Sequence, residues 1–348
     1  MATYKGIQGY TVQKLSDDPP ASQSVGQLWY NSTSGAFKIG TSVTGSWSSG
    51  GALNTARSMM GGTGSQTAAL AFFGAAPGDP SGAVLVSEEY NGTAWTNSTS
   101  GTSRRYNGGS IGQTSTDAGY AGGYGAPPPP LGKTFTEVWN GSSWTEKGDL
   151  NSGRQGFFGG AGTTTAGLVA GSGPADGAAE TFAGTSWTET ANLITARQYA
   201  PVTGATQDAA MCVGGYGVPA ASPYSNGPGS RIGITETWDG TSWTHVSGTL
   251  NLGRISAALS GTTTAAIIAG GSTGDPAPPT TTTATAETWD GSSWTTVGSL
   301  GAAEEEMGSS RTGGNTTALS FGGNPGGSIS ATEECTDPIY TIKTVTVS

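Results

Sequence analysis

The segments ETWDGTSW (236–243) and ETWDGSSW (287–294) are near-identical copies of one motif, and this motif decides the fold. Three further copies are EEYNGTAW (88–95), EVWNGSSW (137–144) and ETFAGTSW (180–187). In every copy a glutamate stands seven residues before a tryptophan. A unit that recurs about every 40–50 residues predicts a repeat architecture.

The end of the chain carries a degraded copy, EECTDPIY (333–340), which places Tyr340 in the tryptophan slot and Cys335 in the inner aromatic slot. The chain therefore has six units. Trp47 and the five motif tryptophans that follow it are spaced by 48, 49, 43, 56 and 51 residues. This period fits a blade of four short strands. The sequence thus predicts an all-β fold, a six-bladed β-propeller of four-stranded antiparallel blades.

Each unit also contains signals for its individual strands. The Asn-Gly or Asp-Gly pair inside the motif predicts a two-residue hairpin turn between the third and fourth strands, because both turn positions need a positive φ. A run of small apolar residues that ends in glycine precedes each motif copy and predicts the second strand. These runs are TAALAFFG (67–74), DAGYAGG (117–123), TAGLVAG (165–171), DAAMCVGG (208–215), TAAIIAGG (264–271) and TALSFGG (317–323).

Charged residues are scarce, at 11% of the chain, yet one arginine recurs in a fixed place. It follows the tryptophan by 10 or 11 residues in five units, and the sixth slot carries Glu304. One arginine and one glutamate per unit predict a repeated ion pair; the alternative is an arginine cluster for an acidic sugar, as in sialidases. The predicted partners are Arg57, Arg105, Arg154, Arg197 and Arg254 with Glu88, Glu137, Glu180, Glu236 and Glu287.

Aromatic residues occupy two positions in each motif. The motif tryptophans are expected to pack between neighbouring blades, because they recur once per unit in one context. The inner aromatics are expected to pack as well, although a sugar-stacking surface is an alternative. The inner residues are Tyr90, Trp139, Phe182, Trp238 and Trp289.

A glycine doublet, an aromatic and a spaced tryptophan form the pattern of kelch-type β-propellers, which the chain resembles from residue 43 to its end. The resemblance implies the fold but no single function, because such propellers serve as enzymes, adaptors and adhesins. Trp47 and the Tyr340 segment both look like outer strands. One terminus is therefore expected to close the ring, and the sequence leaves open which one does so.

Composition argues against several classes of function. Arg and Lys number 14 against 24 acidic residues, a net charge of −10 that disfavours binding to nucleic acid phosphates. His245, Cys212 and Cys335 are too few for most metal centres or catalytic triads. We expect His245 to be solvated on an outer strand and the cysteines to be core residues. The chain is predicted to be no enzyme and to hold no cofactor and no metal.

The connection between the second and third strands varies most in length, and these loops are expected on one face. A rigid ring with variable loops can present a recognition surface; the alternative is that the loops are neutral insertions. The candidate recognition residues are Tyr124, Pro127, Pro128, Pro129, Pro130, Tyr216, Tyr224 and Arg231.

Residues 1–42 lie outside the repeat and predict a separate domain, an irregular arm followed by a β-hairpin, with the propeller over 43–348. This opening and the NTAR-type repeats (54–57) are similar to kelch-like virion proteins of marine tailed bacteriophages. The resemblance implies a tail-associated or capsid-decorating protein that attaches to the host surface through its loops. The candidate docking residues are Leu28, Trp29, Tyr30, Phe37 and Ile39.

The expected partners are other virion proteins and a host-surface glycan, with self-association on the particle left open. Neither nucleic acid nor membrane insertion is expected, since no stretch approaches the ~18 apolar residues of a span. The N-terminus has no secretory pattern, so the protein is expected to be made in the host cytoplasm and carried on the virion. The alternatives are a stand-alone glycan-binding or glycan-processing propeller and a structural spacer.

Overall fold

The computed structural model describes residues 12–20, 23–43, 45–77, 82–125, 133–156, 159–172, 176–217, 230–273, 281–336 and 339–345. It divides into two compact units. The terminal unit comprises Met1–Gly45 and Asp337–Ser348, and the propeller unit comprises Ser46–Thr336. In the part of the chain that the structure describes, no helix could cross a bilayer.

The secondary structure consists of short β-strands. In chain order the strands are β1 (Gln13–Leu15), β2 (Leu28–Asn31), β3 (Ala36–Val43), β4 (Trp47–Ser49), β5 (Gly61–Ser65), β6 (Ala68–Phe72), β7 (Ser87–Tyr90), β8 (Trp95–Ser98), β9 (Gly109–Thr114), β10 (Asp117–Ala121), β11 (Thr136–Trp139), β12 (Trp144–Lys147), β13 (Gly159–Gly162), β14 (Gly167–Ser172), β15 (Asp176–Phe182), β16 (Trp187–Thr190) and β17 (Arg197–Gln198). They continue with β18 (Val202–Thr206), β19 (Ala209–Val213), β20 (Tyr216–Gly217), β21 (Ser230–Arg231), β22 (Thr235–Trp238), β23 (Trp243–His245), β24 (Ala258–Gly261), β25 (Ala266–Ala269), β26 (Ser272–Thr273), β27 (Thr281–Thr282), β28 (Ala286–Trp289), β29 (Trp294–Val297), β30 (Gly308–Ser309), β31 (Leu319–Phe321), β32 (Thr332–Cys335) and β33 (Ile339–Thr344).

The described residues of the propeller unit contain six four-stranded antiparallel sheets, the number of repeats in the sequence. From the innermost strand outward, the blades are I (β5, β6, β7, β8), II (β9, β10, β11, β12), III (β13, β14, β15, β16), IV (β18, β19, β22, β23), V (β24, β25, β28, β29) and VI (β30, β31, β32, β4). The inner strands contact one another in a closed cycle, β5, β9, β13, β18, β24, β30 and β5 again. The predicted all-β propeller fold is confirmed, and the glycine-ended runs form the second strands.

Blade VI takes its outer strand from the N-terminal side of the chain. Strand β4 pairs with β32 so that Trp47 lies opposite Cys335, which occupies the inner aromatic slot as predicted. The assignment of Tyr340 to the tryptophan slot is wrong, because β33 pairs with β3 and places Tyr340 opposite Ser42. Both segments have strand-forming sequences, and only the available pairing edge distinguishes them.

The terminal unit is a four-stranded sheet with the order β1, β2, β3, β33. The predicted hairpin forms, with Leu28 opposite Ile39 and Tyr30 opposite Phe37. The arm adds β1 in parallel to β2. The sequence predicted a terminal domain of residues 1–42 only. In the structure residues 337–348 belong to this unit as well.

The motif hairpins have four-residue loops, so the predicted two-residue turn is wrong. In blade IV, Trp238 pairs with Trp243, and of the loop residues only Gly240 has a positive φ, 92°. The Asp239 carboxylate accepts the N–H groups of Thr241 and Ser242, at 2.9 and 2.8 Å. The aspartate side chain therefore replaces the backbone bond that a tight turn would need.

The motif tryptophans pack between blades, as predicted. Each is buried, and each indole N–H donates to a residue of the preceding blade or of the connection that follows that blade. The bonds run from Trp95 to Thr332 (2.9 Å), Trp144 to Ser87 (3.1 Å), Trp187 to Thr136 (2.8 Å), Trp243 to the Ala191 carbonyl (3.1 Å) and Trp294 to Thr235 (2.9 Å).

The inner aromatics are buried too, with at most 3% of their surface exposed. Each ring lies against the motif tryptophan of its own blade, with centroids 4.7–5.7 Å apart. They are part of the core, and a sugar-stacking role for these rings is excluded.

Candidate recognition site at the propeller mouth

The predicted ion pairs form in five blades. Arg105 and Glu137 are 2.7 Å apart, Arg154 and Glu180 3.0 Å, Arg197 and Glu236 2.8 Å, and Arg254 and Glu287 2.6 Å; Arg57 pairs with Glu88 in the same way. Every one of these side chains is buried. The five guanidinium groups therefore lie in separate blade interiors, and the alternative of an exposed arginine cluster for an acidic sugar is wrong.

Each pair ties the connection between two blades to the blade that follows. Arg105 lies in the connection before β9, and Glu137 lies on β11. The Arg105 guanidinium also donates to the carbonyls of Gly122 (3.1 Å) and Phe135 (2.6 Å), while Glu137 accepts the Thr102 N–H at 2.8 Å. Because the pair satisfies buried backbone groups, it holds the connection in one conformation.

Two residues after each arginine slot, the backbone adopts a positive φ. The six residues, which we call the mouth ring, are Met59, Asn107, Gly156, Tyr199, Ser256 and Glu306, with φ between 52° and 90°. Five backbone bonds of 2.8–3.0 Å link them in blade order: Tyr199 to Gly156, Ser256 to Tyr199, Glu306 to Ser256, Met59 to Glu306 and Asn107 to Met59. A positive φ costs a non-glycine residue about 1 kcal/mol, which these bonds offset.

The second-to-third connections begin beside the mouth ring. Isolated bridges join Tyr106 to Tyr124, Ser58 to Ala75 and Ile255 to Ser272, and β17 pairs with β20 in the same relation. The first residue of each bridge immediately precedes a mouth-ring residue, and β17 (Arg197–Gln198) immediately precedes Tyr199. The partner residues stand at the start of the variable loops. The described starts of these loops and the mouth ring therefore form one face, which we call the mouth.

The described candidate recognition residues lie at this mouth. Tyr124 stacks on Tyr106, with ring centroids 5.7 Å apart and planes 15° apart. Tyr216 pairs with Arg231 between β20 and β21, and the Arg231 guanidinium donates to the Ser272 hydroxyl at 3.1 Å. Pro127, Pro128, Pro129, Pro130 and Tyr224 lie outside the described residues. A role in recognition stays a prediction for all eight.

Sequence reasoning missed the acidic component of the mouth. Glu306 belongs to the mouth ring, and the Asn324 amide donates to its carboxylate at 3.1 Å. Burial raises the pKa of Glu306, and the negative charge of Glu305 raises it further. Burial, Glu306 and Tyr124 together raise the pKa of Tyr199. The position two residues after the arginine slot would have revealed Glu306.

Below the mouth ring, a cavity of about 40 Å³ is lined by Met60, Met307 and Arg311 among others. Arg311 follows β30 of blade VI, and its guanidinium donates to the carbonyls of Gly160 (2.5 Å), Val202 (2.6 Å) and Ser110. Burial lowers the pKa of Arg311 to about 10. This side chain therefore ties the inner strands of blades II, III and IV to blade VI across the axis.

The remaining titratable candidates are structural. His245 lies on outer strand β23, where its Nε2 is 3.0 Å from the Thr195 hydroxyl and 3.4 Å from Glu236. Both cysteines are buried and reduced. Within the described ranges, no group of three or more His, Cys, Asp or Glu side chains is placed to hold a metal ion.

Comparison with known proteins identifies the fold. No family model matches the chain, and no curated protein matches its sequence. A solved structure described as "Structure of YjhT" aligns with a TM-score of 0.62 and 14% identity, over 84% of this chain and 99% of that one. The two chains share the β-propeller fold. At this identity the likeness to YjhT extends to the fold alone.

Proposed function

We propose that the chain is a phage virion structural protein, displayed on the particle and contributing to host attachment through the propeller mouth. The observation that carries this proposal is the division of the chain. Segments that precede and follow the propeller in the sequence form the terminal unit, whereas the propeller closes on its own strand β4. The terminal unit can therefore dock to another virion protein without opening the ring, and two covalent connections hold the propeller.

The docking surface that we propose is one face of the terminal sheet. Leu28 and Ile39 are cross-strand neighbours, as are Tyr30 and Phe37, so all four side chains share a face, and all are half-buried. Trp29 points to the opposite face, is 2% exposed and donates to Asp18 at 3.0 Å. Of the five candidate docking residues, Trp29 is therefore assigned to the core of this unit.

The docking role predicts the behaviour of a double variant, Leu28→Thr with Ile39→Thr. Both replacements suit a strand but remove apolar contact area, so incorporation into particles should fall at least about 10-fold. Immunoblots of purified particles measure incorporation. The matched control is Ile194→Thr with Leu252→Thr, two exposed apolar residues of the propeller unit, which should be incorporated normally. Equal incorporation of both double variants would contradict the docking role.

The attachment role predicts that Tyr124→Ala lowers the rate of particle adsorption to host cells. Its ring offers a stacking surface at the mouth, and many copies on a particle can raise a weak affinity by ~10²–10⁴. An adsorption assay with particles of equal copy number should show about a 10-fold decrease, while Thr241→Ala, at an exposed position of the blade IV motif hairpin, serves as a control. Unchanged adsorption for Tyr124→Ala would favour a structural spacer.

A stand-alone glycan-binding or glycan-processing propeller is the second candidate, because tyrosines and the Glu306 carboxylate occur together at the mouth. Purified chain that converts a glycan, with loss of turnover in Glu306→Gln, would favour it. Arg105 is unsuitable for this test, because it is buried in its ion pair. Arg231 is at the mouth and is suitable.

A further inference from the structure

Blade VI differs from the other five blades at one buried position. Glu304 stands 10 residues after Trp294, in the slot that holds an arginine in every other unit. Glu333 keeps the position of the motif glutamate, because its carboxylate accepts the Gly301 N–H at 2.7 Å, as Glu287 accepts the Asn251 N–H at 2.8 Å. The sixth slot thus contains two carboxylates where its sisters contain a guanidinium and a carboxylate.

The Glu304 side chain is buried, with 3% of the residue exposed. Across the described ranges, no donor lies within hydrogen-bonding distance of its carboxylate. The equivalent side chains of blade V, Arg254 and Glu287, are in contact at 2.6 Å, so Glu304 stands in a slot that faces Glu333. A buried carboxylate without a donor is costly, and a second carboxylate beside it adds repulsion.

The surrounding backbone also presents acceptors. In blade V, the Arg254 guanidinium donates to the carbonyls of Gly270 (3.0 Å) and Thr285 (2.7 Å). Gly322 and Ala331 are the equivalent residues of blade VI, since the Gly322 N–H bonds to the Ala331 carbonyl as the Gly270 N–H bonds to Thr285. The sixth slot therefore combines carboxylate and carbonyl oxygens, with no arginine to neutralise them.

We propose that this slot, formed by Glu304 and Glu333, binds a calcium ion that takes the place of the guanidinium. Calcium prefers carboxylate and carbonyl oxygens in flexible geometry, and water can complete its shell of six to eight ligands. Two carboxylates balance its charge. The prediction of no metal from the scarcity of His and Cys did not consider oxygen ligands. With two carboxylates the affinity should be in the ~10⁻⁴–10⁻³ M range.

Calcium at this slot acts on the blade that closes the ring. Glu333 lies on β32 directly opposite Ser49 of β4, the strand that completes blade VI. A cation between Glu304 and Glu333 removes the repulsion next to this strand pair. Binding should therefore stabilise the folded propeller, independently of the role that we propose for the mouth.

The test is the melting temperature of the full chain at pH 8 with and without 10 mM calcium chloride. We expect calcium to raise the melting temperature by about 3 °C at ~1 mM affinity, and magnesium at the same concentration to raise it by less. Glu304→Gln and Glu304→Arg should both abolish the calcium response, and the second restores the sister ion pair. Equilibrium dialysis with calcium should find one ion per chain, absent in Glu304→Gln.

Glu146→Gln is the matched control, because it makes the same change at an exposed position of β12. It should respond to calcium as the unmodified chain does. The absence of a calcium response in the unmodified chain would overturn the proposal. A full response in Glu304→Gln would overturn it as well. Neither outcome bears on the docking or adsorption experiments.

Discussion

Arg105→Met is expected to destabilise the protein by about 3–5 kcal/mol and to lower the melting temperature by about 10 °C. The substitution leaves Glu137 buried and charged, and it removes the donor to the Gly122 and Phe135 carbonyls. It also removes the guanidinium from beside the stacked Phe73 and Tyr120 rings, 5.3 Å from each centroid. Thermal and denaturant unfolding of the purified chain measure the change.

Arg104→Met is the matched control, because the two arginines are adjacent and Arg104 is exposed. Its guanidinium donates to the Ala83 carbonyl at 3.0 Å, so its replacement should cost less than about 1 kcal/mol. Equal stability of the two variants would show that the buried pair does not anchor the connection. Adding Glu137→Gln to Arg105→Met should recover part of the lost stability, because it removes the uncompensated buried charge.

Trp187→Ala should cost about 3–5 kcal/mol through the cavity that it creates between blades II and III. The indole packs in one cluster with Ile111 and Val169, from the inner strand of blade II and the second strand of blade III. It also lies 4.7 Å from the Phe182 ring. Calorimetry of the variant should show a lower melting temperature than that of the unmodified chain. The other blades cannot fill the cavity, because the ring is closed.

Trp187→Phe separates packing from hydrogen bonding at this site. Phenylalanine retains an aromatic ring beside Phe182 but leaves the buried Thr136 hydroxyl without the indole donor. We therefore expect a loss of about 1–2 kcal/mol. A loss as large as that of the alanine variant would contradict the view that this residue acts mainly as a wedge between blades.

The repeat predicted the fold well because each copy contains the residues that specify its own strands, ion pair and packing. The arginine, the glycine-ended run and the Glu-to-Trp motif recur at fixed spacing, and each became the predicted pair, strand or wedge. The turn inside the motif was misjudged, because the first loop residue donates its N–H to the carbonyl of the fourth, as Asp239 does to Ser242 (3.3 Å) and Ala183 does to Ser186 (3.0 Å). Where the first loop residue is Asn or Asp, its side chain also accepts loop N–H groups, which further favours this loop over the tight turn that the dipeptide alone suggests.

The candidate site was predicted only in part. Variation in loop length directed attention to Tyr124, Tyr216 and Arg231, which the structure places at the mouth. Glu306 was missed, although it stands two residues after the sixth arginine slot, because its role depends on backbone bonds to Ser256 and Met59, which are 50 and 247 residues away in sequence. Glu304 was visible as an exception to the arginine pattern, but its burial beside Glu333 was not.

The amino-acid sequence by itself determined the number of repeats, the strand order within each repeat and the partners of the buried ion pairs. These features depend on contacts within one unit or between adjacent units, and short-range patterns encode them. Tertiary structure alone decided that Trp47, and not Tyr340, completes blade VI, and that the chain ends share a separate sheet. Both segments can form an outer strand, so the choice depends on which sheet edge is free when the ring closes.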